Sequence, residues 1–566
     1  MKAERPIHKL PPNNKALWIM AVIGLAVFLY IQVFPLTSNS TDGLQQERTG
    51  QIISKEKAIQ AAHQFTETTL GLDRTDTETK PLVTYQSDSE FYGYLSKSNL
   101  LTAYNNKYEK RFPYDIYRVS FSNPDSHIKQ LEVDVHMTTG AVVGFEAVQL
   151  YSRKDREVML DQNQPVALQT LQQLEGKLSL TDKQNKAIPY LEALGYRAHE
   201  LDLASGPDDL GLTYLVSKHV IGDAHAELRF QFEYGQVSSM EAAFSVPRSH
   251  LDYVESQTRL ANWLYFGGYA LLSFVLGILA IVYSARSRPY ASFGRGIFLS
   301  VFYFAVNIFS VINLMPILQS QNMSKGTFTI LLVIQFLFTL MVSASIYFSL
   351  VGGDGLWRKQ GNNMWMRANE PGYGRHVLNS MTQGYAWACI LLGAQSVIFV
   401  LLEGTIHAWS TTDATQSTYN MVYPWLFPLV AWTAGIGEEA VYRLFGIPIL
   451  KKIFRSVWIA SLISSLIWAF GHTLYPIYPV ISRPIELAFI GLLFSFIFLR
   501  SGYITVLFAH VIFDSILMGL SLMIMGGIGN ILTGIFYILL PGVVGYLIYV
   551  FKRRREPGLP TFVQED

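Results

Sequence analysis

The chain has 566 residues, of which 50% are hydrophobic and only 15% are charged, and its mean hydropathy is positive at +0.23. Long apolar blocks carry most of this hydrophobicity, which argues against an ordinary soluble protein. The formal net charge is +1, so no bulk basic field favours nucleic acid as a partner. The single cysteine, Cys389, cannot form a disulfide within the chain and is interpreted as a small buried hydrophobic residue.

The first apolar block, ALWIMAVIGLAVFLYIQVFPL, covers residues 16–36. About 20 residues suffice to span a bilayer, and the block is longer than the apolar core of a usual signal peptide. No small-residue cleavage site follows it, so the sequence predicts a retained membrane anchor. Because basic residues precede the block, the positive-inside rule places residues 1–15 in the cytoplasm.

Residues 37–258 are polar and have the texture of a globular domain, which we expect on the extracytoplasmic side. Residues 117–148 and 214–244 are similar to each other. Alternating apolar positions on either side of a glycine turn indicate antiparallel strands in both. The sequence therefore predicts an α+β domain of two repeats, about 50–150 and 160–250. The matching positions are Tyr117 with Tyr214, Val119 with Val216, Gly140 with Gly235, and Glu146 with Glu241.

A helix is predicted over KEKAIQAAHQFTETTLG (residues 55–71), and the strand pair after it ends in VDVHMTTGAVVGFE (residues 133–146). This order of elements resembles the PepSY domain, here in tandem. The resemblance implies binding, inhibition or regulation, and hence an extracytoplasmic partner of the outer repeats. No catalytic cluster is evident in this domain, and four histidines are interpreted as solvated strand or loop residues: His127, His136, His219 and His225.

Nine further apolar blocks follow the outer domain, which brings the predicted number of spans to about ten. With ten spans, every basic loop falls on the cytoplasmic side and both termini are cytoplasmic. The predicted fold class is therefore a multi-pass α-helical membrane protein with an α+β extracytoplasmic domain. The nine blocks lie near residues 262–285, 295–319, 327–351, 384–403, 421–442, 456–475, 484–499, 503–526 and 529–551.

One apolar block contains three ionisable residues within GIGEEAVYRLFG, residues 435–446. A charged group at bilayer depth is costly, so it normally faces protein or a water-filled cavity and serves a function. Glu439 and Arg443 are four residues apart, so they can pair on one helical face. Glu438 points about 100° away from Glu439 and lacks that partner. The alternative is a helix-interface ion pair with one additional glutamate.

Two other apolar blocks carry titratable side chains. His472 follows Trp468 by one turn in SLIWAFGHTLYP, and His510 and Asp514 share one helical face in VLFAHVIFDSIL. Converged on one cavity, these groups and Glu438 could satisfy one another and provide an acid, a base and oxyanion-stabilising groups. Glu486, at a span start, suits a helix N-terminus and is interpreted as structural.

These three pieces resemble the CAAX protease and bacteriocin-processing (CPBP) family, also called the type II CAAX endopeptidase-like family. Its motifs are EExxxR, FxxxH and HxxxN/D, and this chain has EEAVYR, WAFGH and HVIFD in the same order. Trp468 stands where phenylalanine is usual, which retains an aromatic shield. Asp514 stands where many members have asparagine, and an ionised aspartate can only accept hydrogen bonds. The resemblance covers about residues 380–550.

The resemblance implies an enzyme that hydrolyses peptide bonds within the membrane. Glu438 with His472 would activate a water, while His510 and Asp514 would steady the oxyanion. Three residues would give structural support: Glu439, Arg443 and Trp468. Asp514 is either protonated or orients His510, or else Glu438, His472, His510 and Asp514 bind a divalent metal such as zinc. We favour the metal-free glutamate mechanism, with no cofactor.

The resemblance also divides the membrane part. Residues 262–351 have no ionisable side chain within their spans and are assigned to accessory helices, residues 380–551 to the catalytic domain, and residues 552–566 to a basic cytoplasmic tail. The expected partners are the lipid bilayer and a peptide or membrane-protein substrate. A non-catalytic scaffold or sensor, whose outer repeats bind or regulate a partner, is the main alternative. A transporter is less favoured because no inverted repeat is visible.

Overall fold

The computed structural model describes residues 15–33, 52–72, 80–125, 128–148, 178–204, 211–233, 235–321 and 323–554. Its first helix, α1 (Lys15–Phe28), continues as a π-helical turn to Val33. This helix coincides with most of the predicted anchor. It packs along a later membrane helix so closely that a Cβ on Gly24 would lie 2.4 Å from the Cys389 carbonyl oxygen.

The outer domain is a single eight-stranded sheet with strand order β1-β2-β3-β4-β8-β7-β6-β5. The middle pair, β4 and β8, is antiparallel, so strands β1 to β4 join strands β5 to β8 there in one continuous sheet. Gly140 and Gly235, the predicted turn glycines, both have positive φ angles, 74° and 72°. The strands are β1 (Leu82–Ser87), β2 (Asp115–Asp125), β3 (Ile128–His136), β4 (Val142–Val148), β5 (Leu201–Leu203), β6 (Gly211–Ile221), β7 (Ala224–Glu233) and β8 (Gln236–Phe244).

Helices cover this sheet and bury an aromatic core. Phe244 is central to it, with ring centroids 5.3 Å from both Phe91 and Tyr104. The division into two repeats and their PepSY resemblance stay predictions. The helices are α2 (Lys55–Thr68), α3 (Ser89–Lys97), α4 (Leu101–Lys107) and α5 (Leu180–Ala193).

The interpretation of the outer histidines as solvated is wrong for His136. This residue is fully buried, and its Nε2 lies 3.5 Å from Glu109 Oε1. The inward face of β3 places it there, because alternate residues of a strand point to opposite faces. His127 lies outside the described residues.

The described membrane part contains seven helices long and apolar enough to cross a bilayer, and two shorter apolar helices. Two predicted spans begin earlier than expected, at Arg248 and Tyr373, because helical structure continues into the polar flanks. The count of ten spans stays a prediction. The helices are α6 (Arg248–Trp263), α7 (Leu271–Arg286), α8 (Ile297–Asn313), α9 (Met315–Gln319), α10 (Lys325–Lys359), α11 (Tyr373–Ile406), α12 (Val430–Glu438), α13 (Ile447–Phe454), α14 (Val457–Phe470), α15 (Ser482–Ser501), α16 (Tyr503–Ile524) and α17 (Ile528–Arg553).

The segment with the two glutamates is not a regular helix. Helix α12 ends at Glu438, a π-helical segment covers Glu439–Gly446, and α13 follows it directly. Such π-helical turns are rare and frequently occur at functional sites. A Cβ on Gly435 would lie 2.6 Å from Val511 Cγ2, so only glycine lets α12 approach α16 this closely.

The outer domain is bonded to the loops at one end of the membrane part. The side chain of Asn420 accepts from the Tyr85 amide at 2.7 Å and donates to the Tyr85 carbonyl at 2.8 Å. Ser87 bonds to Thr412 at 2.6 Å. Two loops of the membrane part are joined by a short strand pair, β9 (Trp409–Ser410) and β10 (Ile477–Tyr478). Strand β9 lies in the same loop as Thr412 and pairs with β10, which lies in the loop that contains His472.

Candidate active site

Glu439 and Arg443 form a fully buried ion pair. The Arg443 Nη1 to Glu439 Oε1 distance is 3.1 Å, and neither side chain is exposed. Arg443 also donates through Nη2 to the Gly491 carbonyl at 3.4 Å, and its guanidinium lies 4.6 Å from the centre of the Trp468 ring. The spacing of four residues predicts this pair, and the cation over the aromatic face adds to its stability.

His510 connects three carboxylates. Its Nδ1 donates to Glu439 Oε1 at 2.7 Å, which leaves Nε2 to face Glu438 Oε2 at 3.7 Å and Asp514 Oδ2 at 3.5 Å. The imidazole stacks on Phe494 with a centroid distance of 4.4 Å and an interplanar angle of 22°. The ring is therefore fixed on one edge by Glu439 and on one face by Phe494. Glu439 thus has a second role, which its spacing from Arg443 does not reveal.

Glu438 differs from its neighbour in accessibility. It lies deep within the protein, yet 28% of its side-chain surface is exposed, compared with 0% for Glu439. Trp468 Nε1 on α14 donates a hydrogen bond to Glu438 Oε2. The indole is therefore also a donor, a role that the interpretation of Trp468 as an aromatic shield did not include and that phenylalanine could not fill.

His472 does not bond directly to Glu438. Its Nδ1 lies 3.1 Å from the Trp468 carbonyl oxygen, and its ring meets the Trp468 ring edge-on at 5.2 Å. Both His472 and Glu438 thus contact Trp468, one through the backbone and the other through the indole. Joint activation of a water by Glu438 and His472 stays a prediction.

A second polar group borders the site and involves a residue interpreted as structural. Glu486 is fully buried and accepts from Arg483 Nη1 at 2.5 Å and from Gln395 Nε2 at 2.8 Å. The Arg483 guanidinium lies 5.4 Å from the Tyr475 ring, which stacks on His472 at 5.7 Å. The spacing of three between Arg483 and Glu486 could have predicted their pairing. The sequence carries no local signal for the contact with Gln395, which comes from α11.

The structure brings Glu438 and Asp514 close to the same nitrogen of His510, Nε2, and it places His472 beside them across Trp468. Among the described residues, no group of three or more His, Cys, Asp or Glu side chains is placed so that it could hold a metal ion. The metal-free mechanism stays a prediction.

Residues 420–516 match the family model described as type II CAAX prenyl endopeptidase Rce1-like. The matched stretch contains every candidate catalytic residue, from Glu438 to Asp514. The resemblance inferred from the three motifs is confirmed here. The Rce1-like stretch begins at Asn420, the residue bonded to the outer domain, and includes α12 to α15 with residues 503–516 of α16.

A curated protein is also similar to this chain. The sporulation-killing factor biosynthesis protein SkfC of Bacillus subtilis (strain 168) is 26% identical over 199 residues. The match covers 35% of this chain and 38% of SkfC, so the two proteins share little more than a third of their lengths. No solved structure matches the chain.

Proposed function

We propose that the protein is an intramembrane endopeptidase that hydrolyses peptide bonds of membrane proteins or peptides, with Glu438 as the general base. The Rce1-like match supports peptidase chemistry in this part of the chain. One observation carries the choice of base: of the two adjacent glutamates, only Glu438 has exposed surface, and it faces His510 Nε2.

In the proposed reaction, Glu438 takes a proton from a water as the water oxygen bonds to the carbonyl carbon of the substrate. The carbonyl oxygen becomes an oxyanion, to which His510 donates from Nε2. Glu438 then passes its proton to the amide nitrogen as the carbon–nitrogen bond breaks. A single well-placed oxyanion donor is worth about 3 to 4 kcal/mol in other hydrolases.

The surrounding residues would hold this arrangement. Glu439 keeps His510 in the orientation in which Nε2 faces the cavity, because it accepts from Nδ1. Arg443 compensates the buried charge of Glu439. Asp514 would orient the other edge of His510, and His472 would hold the water together with Glu438. We propose that no metal takes part, since the carboxylates are bound to histidine, arginine and tryptophan donors.

The apolar helices and the family match indicate a membrane protein. We propose that both termini are cytoplasmic and that the outer repeats bind a partner on the extracytoplasmic side. The substrate would then reach the site among α12, α14 and α16 from within the bilayer. A prenylated substrate, as the family description names, is one candidate class.

The decisive experiment compares the peptides released from membranes that contain the wild type or the Glu438→Gln variant. We expect specific peptides to disappear with Glu438→Gln, with activity reduced at least about 100-fold, while the protein folds normally. Parallel samples receive a chelator. Identical peptides from both proteins would instead favour a scaffold or sensor, and cleavage that stops with chelator would favour a metal enzyme.

A further inference from the structure

A groove separate from the catalytic residues lies between α8, α16 and α17, beside the loop that joins α10 to α11. Its volume is about 810 Å³, within the range of roughly 300 to 1,000 Å³ that small-molecule sites occupy. Its walls are almost wholly apolar and include Phe298, Leu507, Phe508 and Leu547. None of Glu438, His472, His510 or Asp514 lines it.

The mouth of the groove is basic. Lys552, in the last turn of α17, and Arg554, just beyond its end, both line it, and Arg554 is exposed. Lys552 Nζ donates one hydrogen bond, to the Ala368 carbonyl at 2.7 Å, and an ammonium has three protons to donate. Arg295 also lines the mouth, but it is held by Asp354 at 3.4 Å and stacks on Trp365.

Lys552 and Arg554 have no acidic neighbour in the groove lining that the structure describes. The groove therefore combines an apolar slot with a positive mouth, at the end of a membrane helix. A wholly apolar ligand would not pair with the basic side chains, and a soluble anion would not contact the apolar walls of the slot. Basic pockets between membrane helices typically bind the headgroups of anionic lipids.

We propose that the groove binds one anionic phospholipid, with an acyl chain in the slot and the phosphate at Lys552 and Arg554. The site is independent of the peptidase chemistry, because it shares no residue with the catalytic set. The bound lipid connects α17 to α8 and α16, and α16 carries His510. An occupied groove therefore stabilises the packing of the helix that presents the proposed oxyanion donor.

The test uses the full chain in a neutral detergent, titrated with phosphatidylglycerol and, separately, with phosphatidylcholine, and measured by native mass spectrometry. Each basic residue near a membrane surface contributes about fivefold to anionic-lipid affinity. We expect Lys552→Gln and Arg554→Gln each to weaken phosphatidylglycerol binding by about that factor. Arg553→Gln is the matched control, because it lies on the same turn but does not line the groove.

A second pair of variants tests the slot. Val544 lines the groove and Val543, next to it, is exposed and does not. Val544→Phe should reduce lipid binding by occupying the slot, whereas Val543→Phe should leave it unchanged. Equal loss with Arg553→Gln would show that only the general charge of the helix end matters, and the proposal would fail. The proposal would also fail if phosphatidylcholine bound as tightly as phosphatidylglycerol, or if inorganic phosphate alone displaced phosphatidylglycerol.

Discussion

Trp468 donates an indole hydrogen bond from α14 to the carboxylate of Glu438 at the end of α12. The same residue accepts from His472 through its carbonyl oxygen at 3.1 Å. One tryptophan therefore sets the position of two candidate catalytic side chains that do not bond to each other. Phenylalanine at this position would retain the aromatic ring but could not donate this hydrogen bond.

Replacing Trp468 with phenylalanine should lower activity without unfolding the protein. A hydrogen bond to a charged group contributes about 1.5 to 3 kcal/mol, which corresponds to a fall in kcat of about tenfold to a hundredfold. KM should change little, because the aromatic volume is retained. The control is Trp458→Phe, at the exposed start of the same helix, where 75% of the residue is exposed. Unchanged kcat in Trp468→Phe would contradict the role of the indole donor.

Glu439→Gln should act chiefly on stability. It leaves the Arg443 charge buried without its counter-ion, and breaking a buried pair costs about 3 to 5 kcal/mol, while the glutamine oxygen can still accept from His510 Nδ1. Thermal unfolding in detergent should show a clearly lowered Tm. The double variant Glu439→Gln with Arg443→Met should recover part of the loss, since the uncompensated charge is gone. The Glu438→Gln variant should unfold close to the wild-type temperature, because the Glu438 carboxylate that it replaces is partly exposed.

Asp514→Asn should retain most of the peptidase activity. Asparagine keeps an oxygen that can accept from His510 Nε2, which lies 3.5 Å from Asp514 Oδ2, so we expect a loss of less than about tenfold. Asp514→Ala removes the acceptor and should lose more. A chelator should have no effect on any of these proteins. Activity that is lost with chelator and restored by zinc would identify a metal enzyme and contradict this assignment.

Spacing along the chain predicted those features of the site that lie within one helix. Glu439 and Arg443 pair, and His510 and Asp514 meet, because residues four apart share a helical face. The order of the three motifs predicted the convergence of their helices. The length of the apolar blocks predicted the membrane part, although two helices extend into polar sequence that no hydropathy pattern marks.

Contacts between helices could not be predicted in this way. The bond from His510 to Glu439 crosses from α16 to the π-helical segment, and the bond from Trp468 to Glu438 crosses from α14 to α12. A pattern of 3.6 residues per turn already separates the directions of the two glutamates, but it does not predict the π-helical segment that begins at Glu439. Gln395 approaches Glu486 from a helix 91 residues away in sequence. Each of these depends on tertiary packing.

Asn420→Ala should loosen the contact between the outer domain and the membrane part. The buried amide satisfies both backbone groups of Tyr85 at 2.7 and 2.8 Å, and leaving such groups unsatisfied costs about 1 to 3 kcal/mol. Hydrogen exchange in the full chain should show faster exchange of the Tyr85 amide and of its neighbours in β1. Asn307→Ala, which removes a bond within a single helix, is the control and should leave β1 unchanged.

Asp88 gives the outer domain a defined dependence on pH. Burial, with the charges of Glu241 and Glu90 nearby, raises the pKa of this carboxyl from 3.8 to about 6, although the Phe91 amide donates to it. Between these values the folded protein holds a proton that the unfolded chain releases, so this stabilisation is present below about pH 4 and is lost as the pH rises through 6. Above pH 6 the folded domain carries an ionised, partly buried carboxylate, which is unfavourable.

Asp88→Asn should therefore stabilise the domain at pH 7.5 and change it little at pH 4, because asparagine keeps an oxygen that can accept from the Phe91 amide at the start of α3. The difference in Tm between variant and wild type, measured on the full chain at both pH values, isolates this group from all others that titrate. Hydrogen exchange of the α3 amides provides a local check. A variant less stable than the wild type at pH 7.5 would show that the ionised carboxylate holds α3 more strongly than its burial opposes it.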